Sequence, residues 1–138
     1  MSAVYTLHPI GHIHSPLLER EKAPKEASEG APDAWVEIEP RFAEALLRIE
    51  VGREVILLTW LHEAERDVLR VHPRGNPANP LAGVFATRSP DRPNPIGLHR
   101  VRVLDVEGST RLRVGPLEAI DGTPVVDIKP VLSSTADW

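Results

Sequence analysis

The sequence predicts a mainly β fold, a barrel or sandwich of short antiparallel strands with one short helix. Short β-branched runs recur along the chain with turn residues between them, the spacing of an all-β domain. No run is followed by the long crossover helix that a parallel sheet requires. A chain of 138 residues is the size of one domain around one core, and the expectation is a single domain over 1–138 without a further C-terminal domain. Aromatic residues make up only 4%, so Val, Leu and Ile must fill that core.

Val4 to Ile13 is rich in β-branched residues and ends at Ser15-Pro16, a first strand and a turn. Leu17 to Asp33 is charged, carries Pro24, Gly30 and Pro32, and reads as a surface loop. Trp35 to Ile38 alternates apolar and polar and suits a half-buried strand. Pro40 opens the helix, in which Phe42, Ala45, Leu46 and Ile49 share a face, with Gly52 near its end. Glu54 to Leu61 is nearly all apolar, a central strand covered on both sides. Val68 to Val71 is a further short strand, and His72 to Pro80 a loop of Pro, Gly and Asn. Gly83 to Thr87 reads as extended, after which Pro90, Pro93 and Pro95 forbid regular structure. Leu98 to Val106, with apolar Val101, Val103 and Val106, then Leu112 to Leu117 and Val125 to Ile128 complete the strands. Asp121-Gly122 is the turn before the last.

Several function classes are excluded. Without cysteine there is no disulfide framework, thiolate metal site or thiol nucleophile. No apolar run reaches a membrane span and Met1 to Ile13 has no signal-peptide pattern, which reads as a cytoplasmic protein with no membrane association. His12 and His14 share a strand face, but no third ligand follows at metal spacing, so no metal is expected. The Gly-x-Gly-x-x-Gly fingerprint, the phosphate-binding loop ending in Lys-Ser/Thr and the nucleophile elbow are all missing. Net charge is −4, yet it is unevenly spread. Leu17 to Glu50 holds nine acidic residues against five basic, whereas Arg66 to Arg102 holds seven arginines against Asp67 and Asp91. Arginine suits phosphates and carboxylates, and equally suits ordinary surface ion pairs.

The chemistry concentrates between Gly83 and Gly97, in Gly-Val-Phe-Ala-Thr-Arg-Ser-Pro-Asp-Arg-Pro-Asn-Pro-Ile-Gly. Three prolines in six positions stiffen a loop that also carries Arg88, Arg92 and Asn94. Stiff loops that hold donors suit preorganised binding, and they also suit the plain work of turning a barrel corner. A second constellation runs from Gly115 to Pro130, where Glu118, Asp127 and Lys129 interrupt apolar strands. A carboxylate at a strand end can hold a ribose diol, or simply pair with Arg88 or Arg92. His62-Glu63 closes the central strand, where ligand contacts often lie.

At these residues the sequence resembles the YaeB-like (TsaA-like) family, whose characterised members are tRNA methyltransferases of the O type. Gly83 to Gly97 is similar to the family's central signature, Ile10 to Pro16 to its opening strand and turn, and Asp121 to Pro130 to its closing segment. The resemblance implies a compact antiparallel β-barrel that binds S-adenosylmethionine without a Rossmann fold, and a homodimer with the cofactor near the subunit interface. The implied reaction methylates N6 of threonylcarbamoyladenosine at tRNA position 37, with tRNA as a transient partner. Carried over by position, the cofactor contacts are Pro24, Lys25 and Glu26, His62 and Glu63, Arg88, Leu98, and the run Gly115, Pro116, Leu117 and Glu118. On that reading Arg92, Asn94 and Lys129 face the anionic substrate, and Asp127 accepts the N6 proton. Three points depart from the family. Lys25-Glu26 replaces an expected Arg-Gln, Val131 stands where an aromatic residue is usual, and the extra C-terminal domain of longer members is not in this chain. A methyltransferase of a small molecule and a non-enzymatic cofactor-binding module are the alternatives. The scarcity of aromatic stacking residues counts against a simple RNA-binding barrel.

Overall fold

A computed structural model describes residues 2–24 and 30–132. Six strands form a closed antiparallel barrel in the order β1-β2-β7-β6-β3-β8. They are β1 (Gly11–His14), β2 (Ala34–Ile38), β3 (Glu54–Trp60), β6 (Ile96–Glu107), β7 (Arg111–Gly115) and β8 (Pro124–Pro130). A separate two-stranded ribbon, β4 (Arg70–Val71) with β5 (Ala82–Gly83), sits between β3 and β6 in sequence. Closure removes most of the bare strand edge that an open sheet must protect.

Strand alternation fills the interior. Ile13, Val36, Val55, Leu57, Val103, Leu112, Val114 and Val125 are fully enclosed, so the core is aliphatic, as the composition requires. On β3 the inward residues Val55, Leu57 and Thr59 alternate with outward Ile56, Leu58 and Trp60. The outward three are themselves partly covered, which is why that stretch reads as continuously apolar. Val106 breaks the period-two pattern of β6 because the β6–β7 register shifts between Val103 and Asp105.

Three elements differ from the sequence expectation. The first strand is confined to Gly11–His14, with exposed residues before Ile10. The helix at Pro40–Leu46 is a 3₁₀ helix, held by bonds such as Phe42 N–H to the Glu39 carbonyl. Its tighter winding carries Ala45 out to solvent while Phe42, Leu46 and Ile49 pack on the core. Val84–Ala86, expected to be extended, is a single 3₁₀ turn closed by Thr87, whose N–H and hydroxyl both donate to the Val84 carbonyl.

The antiparallel order gives the barrel two unlike ends. At one end lie the short β6–β7 connection, residues 108–110, and the 39–53 segment. At the other, the mouth, meet three connections: 15–33 after β1, 61–95 after β3, and 116–123 after β7. The last of these crosses the mouth as a plug, with Leu117, Ala119, Ile120 and Thr123 buried. Its backbone is tied down by Leu117 N–H to Pro32, Asp121 N–H to Leu17 and Gly122 N–H to Ile13.

Candidate functional site

Every carried-over cofactor position lies at this mouth or within the first residues of β6, apart from Lys25 and Glu26, which fall outside the described residues. Pro24 follows the short 3₁₀ turn Arg20–Lys22. His62 and Glu63 follow the end of β3, both exposed and 3.9 Å apart. Arg88 is exposed on the stiff loop, and among the described residues its guanidinium has no partner. Gly115 ends β7 beneath the Asp33 side chain, so close that a Cβ there would meet Asp33 Oδ1 at 2.0 Å. Pro116 is exposed, whereas Leu117 is turned fully into the barrel.

The loop around the mouth is held by a clasp that sequence reasoning missed. Asp91 receives the Arg20 guanidinium at 2.6 Å on one oxygen and the Glu65 N–H at 2.9 Å on the other. Arg20 also donates to the Glu63 carbonyl, and Arg66 donates to the Pro93 carbonyl and the Asn94 side-chain oxygen. Burial pushes the Asp91 carboxyl up, but the Arg20 hydrogen bond, the Glu65 N–H and the Arg20 charge outweigh it and leave Asp91 below its ordinary value.

Arg92 is held by its own loop. It donates through Nε to Ser89 and through Nη2 to Val84 and Thr87, three main-chain carbonyls. A bent, proline-rich loop has few main-chain partners for its carbonyls, and a planar guanidinium satisfies several at once. Asn94 is exposed, with its oxygen engaged by Arg66.

Asp127 and Lys129 lie away from the plug, on β8. Asp127 pairs with Leu58 of β3, which pairs in turn with Leu98 of β6, so these three form one row on the outer wall. The Asp127 carboxylate accepts the Ile128 N–H at 2.9 Å and stands 3.5 Å from the Lys129 ammonium.

The first half of β6 has an unusual edge. Val103 exchanges its main-chain bonds toward β3, with Arg53 and Gly52, and Pro95 accepts from Leu61 on the same side. Alternation then turns the N–H and C=O of Leu98 and Arg100 toward β7. Pairing with β7 begins only at Arg102↔Gly115, so among the described residues the Leu98 main chain has no strand opposite it.

Beside that edge stands Glu118. Its Oε1 accepts from His99 Nδ1 at 2.5 Å, and His99 Nε2 is 2.8 Å from Thr59 Oγ1. Thr59 is fully enclosed, His99 5% exposed, and the Glu118 side chain 18% exposed. Neither Thr59 nor His99 was picked out from the sequence, although both share the inward parity of their strands. The arrangement can hold a nucleoside-like ligand: open main-chain donors and acceptors for a base edge, a carboxylate for a diol, and the Arg88 cation for a carboxylate or phosphate. A cavity of about 530 Å³ also opens on this end, but its polar side chains are already paired, Arg113 with Asp33 and His14 with Glu37.

Residues 12–137 match the family model of the tRNA-methyltransferase O N-terminal domain. The chain belongs to this family. An S-adenosyl-L-methionine-binding protein of Archaeoglobus fulgidus is 45% identical over 123 residues, covering 89% of this chain and 86% of the relative. A relative from Methanothermobacter thermautotrophicus, named "Probable S-adenosyl-L-methionine-binding protein", is 43% identical over 124 residues and covers 90% and 88% of the two chains. The crystal structure of TrmO from Pseudomonas aeruginosa superposes with a TM-score of 0.76 at 33% identity, across 99% of this chain. This chain spans 61% of the length of that TrmO chain. Membership of the tRNA-methyltransferase O family thus accounts for the barrel. Among the described residues of this family member, no helix is long and apolar enough to cross a membrane, and no three His, Cys, Asp or Glu residues cluster as a metal site.

Proposed function

We propose that this chain binds S-adenosyl-L-methionine at the barrel mouth and transfers its methyl group to N6 of threonylcarbamoyladenosine at position 37 of tRNA. The observation that carries the reading is that three chemically distinct groups, the Glu118 carboxylate, the open Leu98 main chain and Arg88, unpartnered among the described residues, all belong to segments at the mouth end of the barrel. When bound, the cofactor supplies a methyl group on a cationic sulfur, an electrophile that needs in-line alignment with its acceptor. Glu118 accepts from the ribose hydroxyls, Leu98 reads the adenine edge through its main chain, and Arg88 meets the cofactor's carboxylate. His62 and Glu63, the connection Gly115-Pro116 and the loop at Pro24 add further cofactor contacts on this reading. Asp127 takes the proton lost from the acceptor nitrogen, and the Lys129 ammonium, 3.5 Å from that carboxylate, faces the anionic substrate. Phe85, 83% exposed beside the arginine-bearing loop, offers a face on which an unstacked base can lie. Half-covered apolar side chains on the outer wall, Leu58, Trp60, Ile96 and Leu98, support a homodimer that buries them. A cytoplasmic location follows from the tRNA substrate.

Calorimetric titration with S-adenosyl-L-methionine, repeated on Arg88→Ala, tests the cofactor site. The expected result is saturable binding that the substitution weakens at least tenfold without changing the melting temperature. Labelled methyl transfer to tRNA carrying threonylcarbamoyladenosine then tests the substrate. Transfer to free nucleosides or metabolites alone would reassign the chain to a small-molecule methyltransferase, and tight binding without any transfer to a cofactor-binding module.

A further inference from the structure

We propose that His99 is the residue that positions Glu118 for the cofactor's ribose, with Thr59 as the buried anchor that sets the imidazole in turn. The proposal rests on the reading of Glu118 as a cofactor contact and adds two residues behind it. A carboxylate can only accept, so His99 Nδ1 carries the hydrogen and donates to Glu118 Oε1. In the neutral ring that leaves Nε2 to accept from the Thr59 hydroxyl at 2.8 Å. Both imidazole nitrogens and the Thr59 hydroxyl are then satisfied inside an otherwise aliphatic barrel, consistent with the lack of unpaired buried side-chain polar atoms among the described residues.

Three further features make this an orienting device rather than only a packed pair. First, Glu118 follows the end of β7, on a connection with no strand partner, and has three rotatable side-chain bonds, so untethered it would lose much rotamer freedom on binding a ligand. Second, the tether takes one oxygen only. Among the described residues nothing else bonds this carboxylate, so Oε2 is left without a protein partner on a side chain that is 18% exposed. Third, the chain leaves room for the tether at Gly97. A Cβ at that position would stand 2.3 Å from Thr59 Oγ1 and 2.6 Å from His99 Nε2. The last glycine of the signature loop therefore makes space for the Thr59–His99 contact.

Two substitutions divide the imidazole's two bonds. His99→Asn places an amide N–H near the lost Nδ1 and keeps the donor to Glu118. His99→Gln places its amide near the lost Nε2, keeps the contact to Thr59 and releases Glu118. Titration of both with S-adenosyl-L-methionine and with its 2′-deoxy analogue, on protein shown to be folded by near-UV circular dichroism, reads the outcome. Expected are a Kd within about threefold of wild type for His99→Asn and a loss of roughly tenfold or more for His99→Gln. The 2′-deoxy analogue should bind wild type less tightly than the full cofactor, and His99→Gln should discriminate much less between the two. Equal Kd values for both variants and wild type would overturn the role of His99 while leaving the cofactor site standing. A wild-type chain that binds no cofactor would overturn both. Should both variants fail to fold, the ring ¹⁵N resonances of His99 in wild-type protein provide the test. They must move as cofactor saturates the site, and resonances that stay still overturn the proposal.

Discussion

Arg20 and Asp91, 71 residues apart in sequence, meet at 2.6 Å and close the loop that carries the arginine-rich signature against the β1–β2 connection. Because the folded-state pKa of Asp91 is depressed, its ion pair stabilises the fold above the carboxyl's ordinary value, 3.8. That contribution fades as pH falls through the lower folded-state value. Asp91→Asn should cost about 1 kcal/mol at neutral pH, a modest figure because both side chains are partly exposed. Denaturant melts of the two proteins should converge at the acid end of the titration. A difference that persists at low pH would mean the loss comes from the Glu65 N–H bond rather than the charge.

Gly97→Ala should destabilise the chain by about 1–3 kcal/mol, because the new methyl group meets two groups that cannot easily retreat. Thr59→Ala in the same protein should relieve part of that crowding. A double-mutant cycle on urea unfolding would then show the two substitutions to be less than additive, whereas strict additivity would mean the barrel adjusts elsewhere.

Arg92→Ala removes three hydrogen bonds to loop carbonyls and should lower stability by about 1–3 kcal/mol, with faster proteolysis between Val84 and Asp91. Arg92→Lys should recover only part of this, since one ammonium cannot reproduce the planar fork. Unchanged stability together with weakened RNA binding would assign Arg92 to the substrate instead.

Asp127→Asn should slow methyl transfer at least tenfold while leaving cofactor affinity and the melting temperature nearly unchanged. Among the described residues its carboxylate bonds only the neighbouring Ile128 N–H and stands beside Lys129, so the fold depends little on its charge. Single-turnover rates on modified tRNA would decide the matter, and a wild-type rate would remove Asp127 from the chemistry.

Much of the barrel was legible because its strands follow simple alternation. Five of its six strands lie close to their expected places, and the first is shorter because residues before Ile10 have nothing to cover them. The helix at Pro40 was placed correctly but wound more tightly, a choice that short helical turns make through local bonds rather than pattern. The polar chain Thr59–His99–Glu118 left a readable trace: counting back by twos from Val103 and Val101 turns His99 and Gly97 inward, and Thr59 shares parity with Leu57 and Val55. The pairings of Arg20 with Asp91 and of Arg92 with its own loop left none. An arginine carries the same charge whether it meets a ligand or a neighbouring carbonyl, and only the folded path of the chain separates the two.

The far end of the barrel offers a practical handle. The tight β6–β7 connection around Gly108 and Ser109 is exposed and lies opposite the mouth, and no candidate ligand contact comes from it. A dye, an affinity tag or an immobilising linker grafted at Ser109 would report on or tether the molecule while leaving the mouth open.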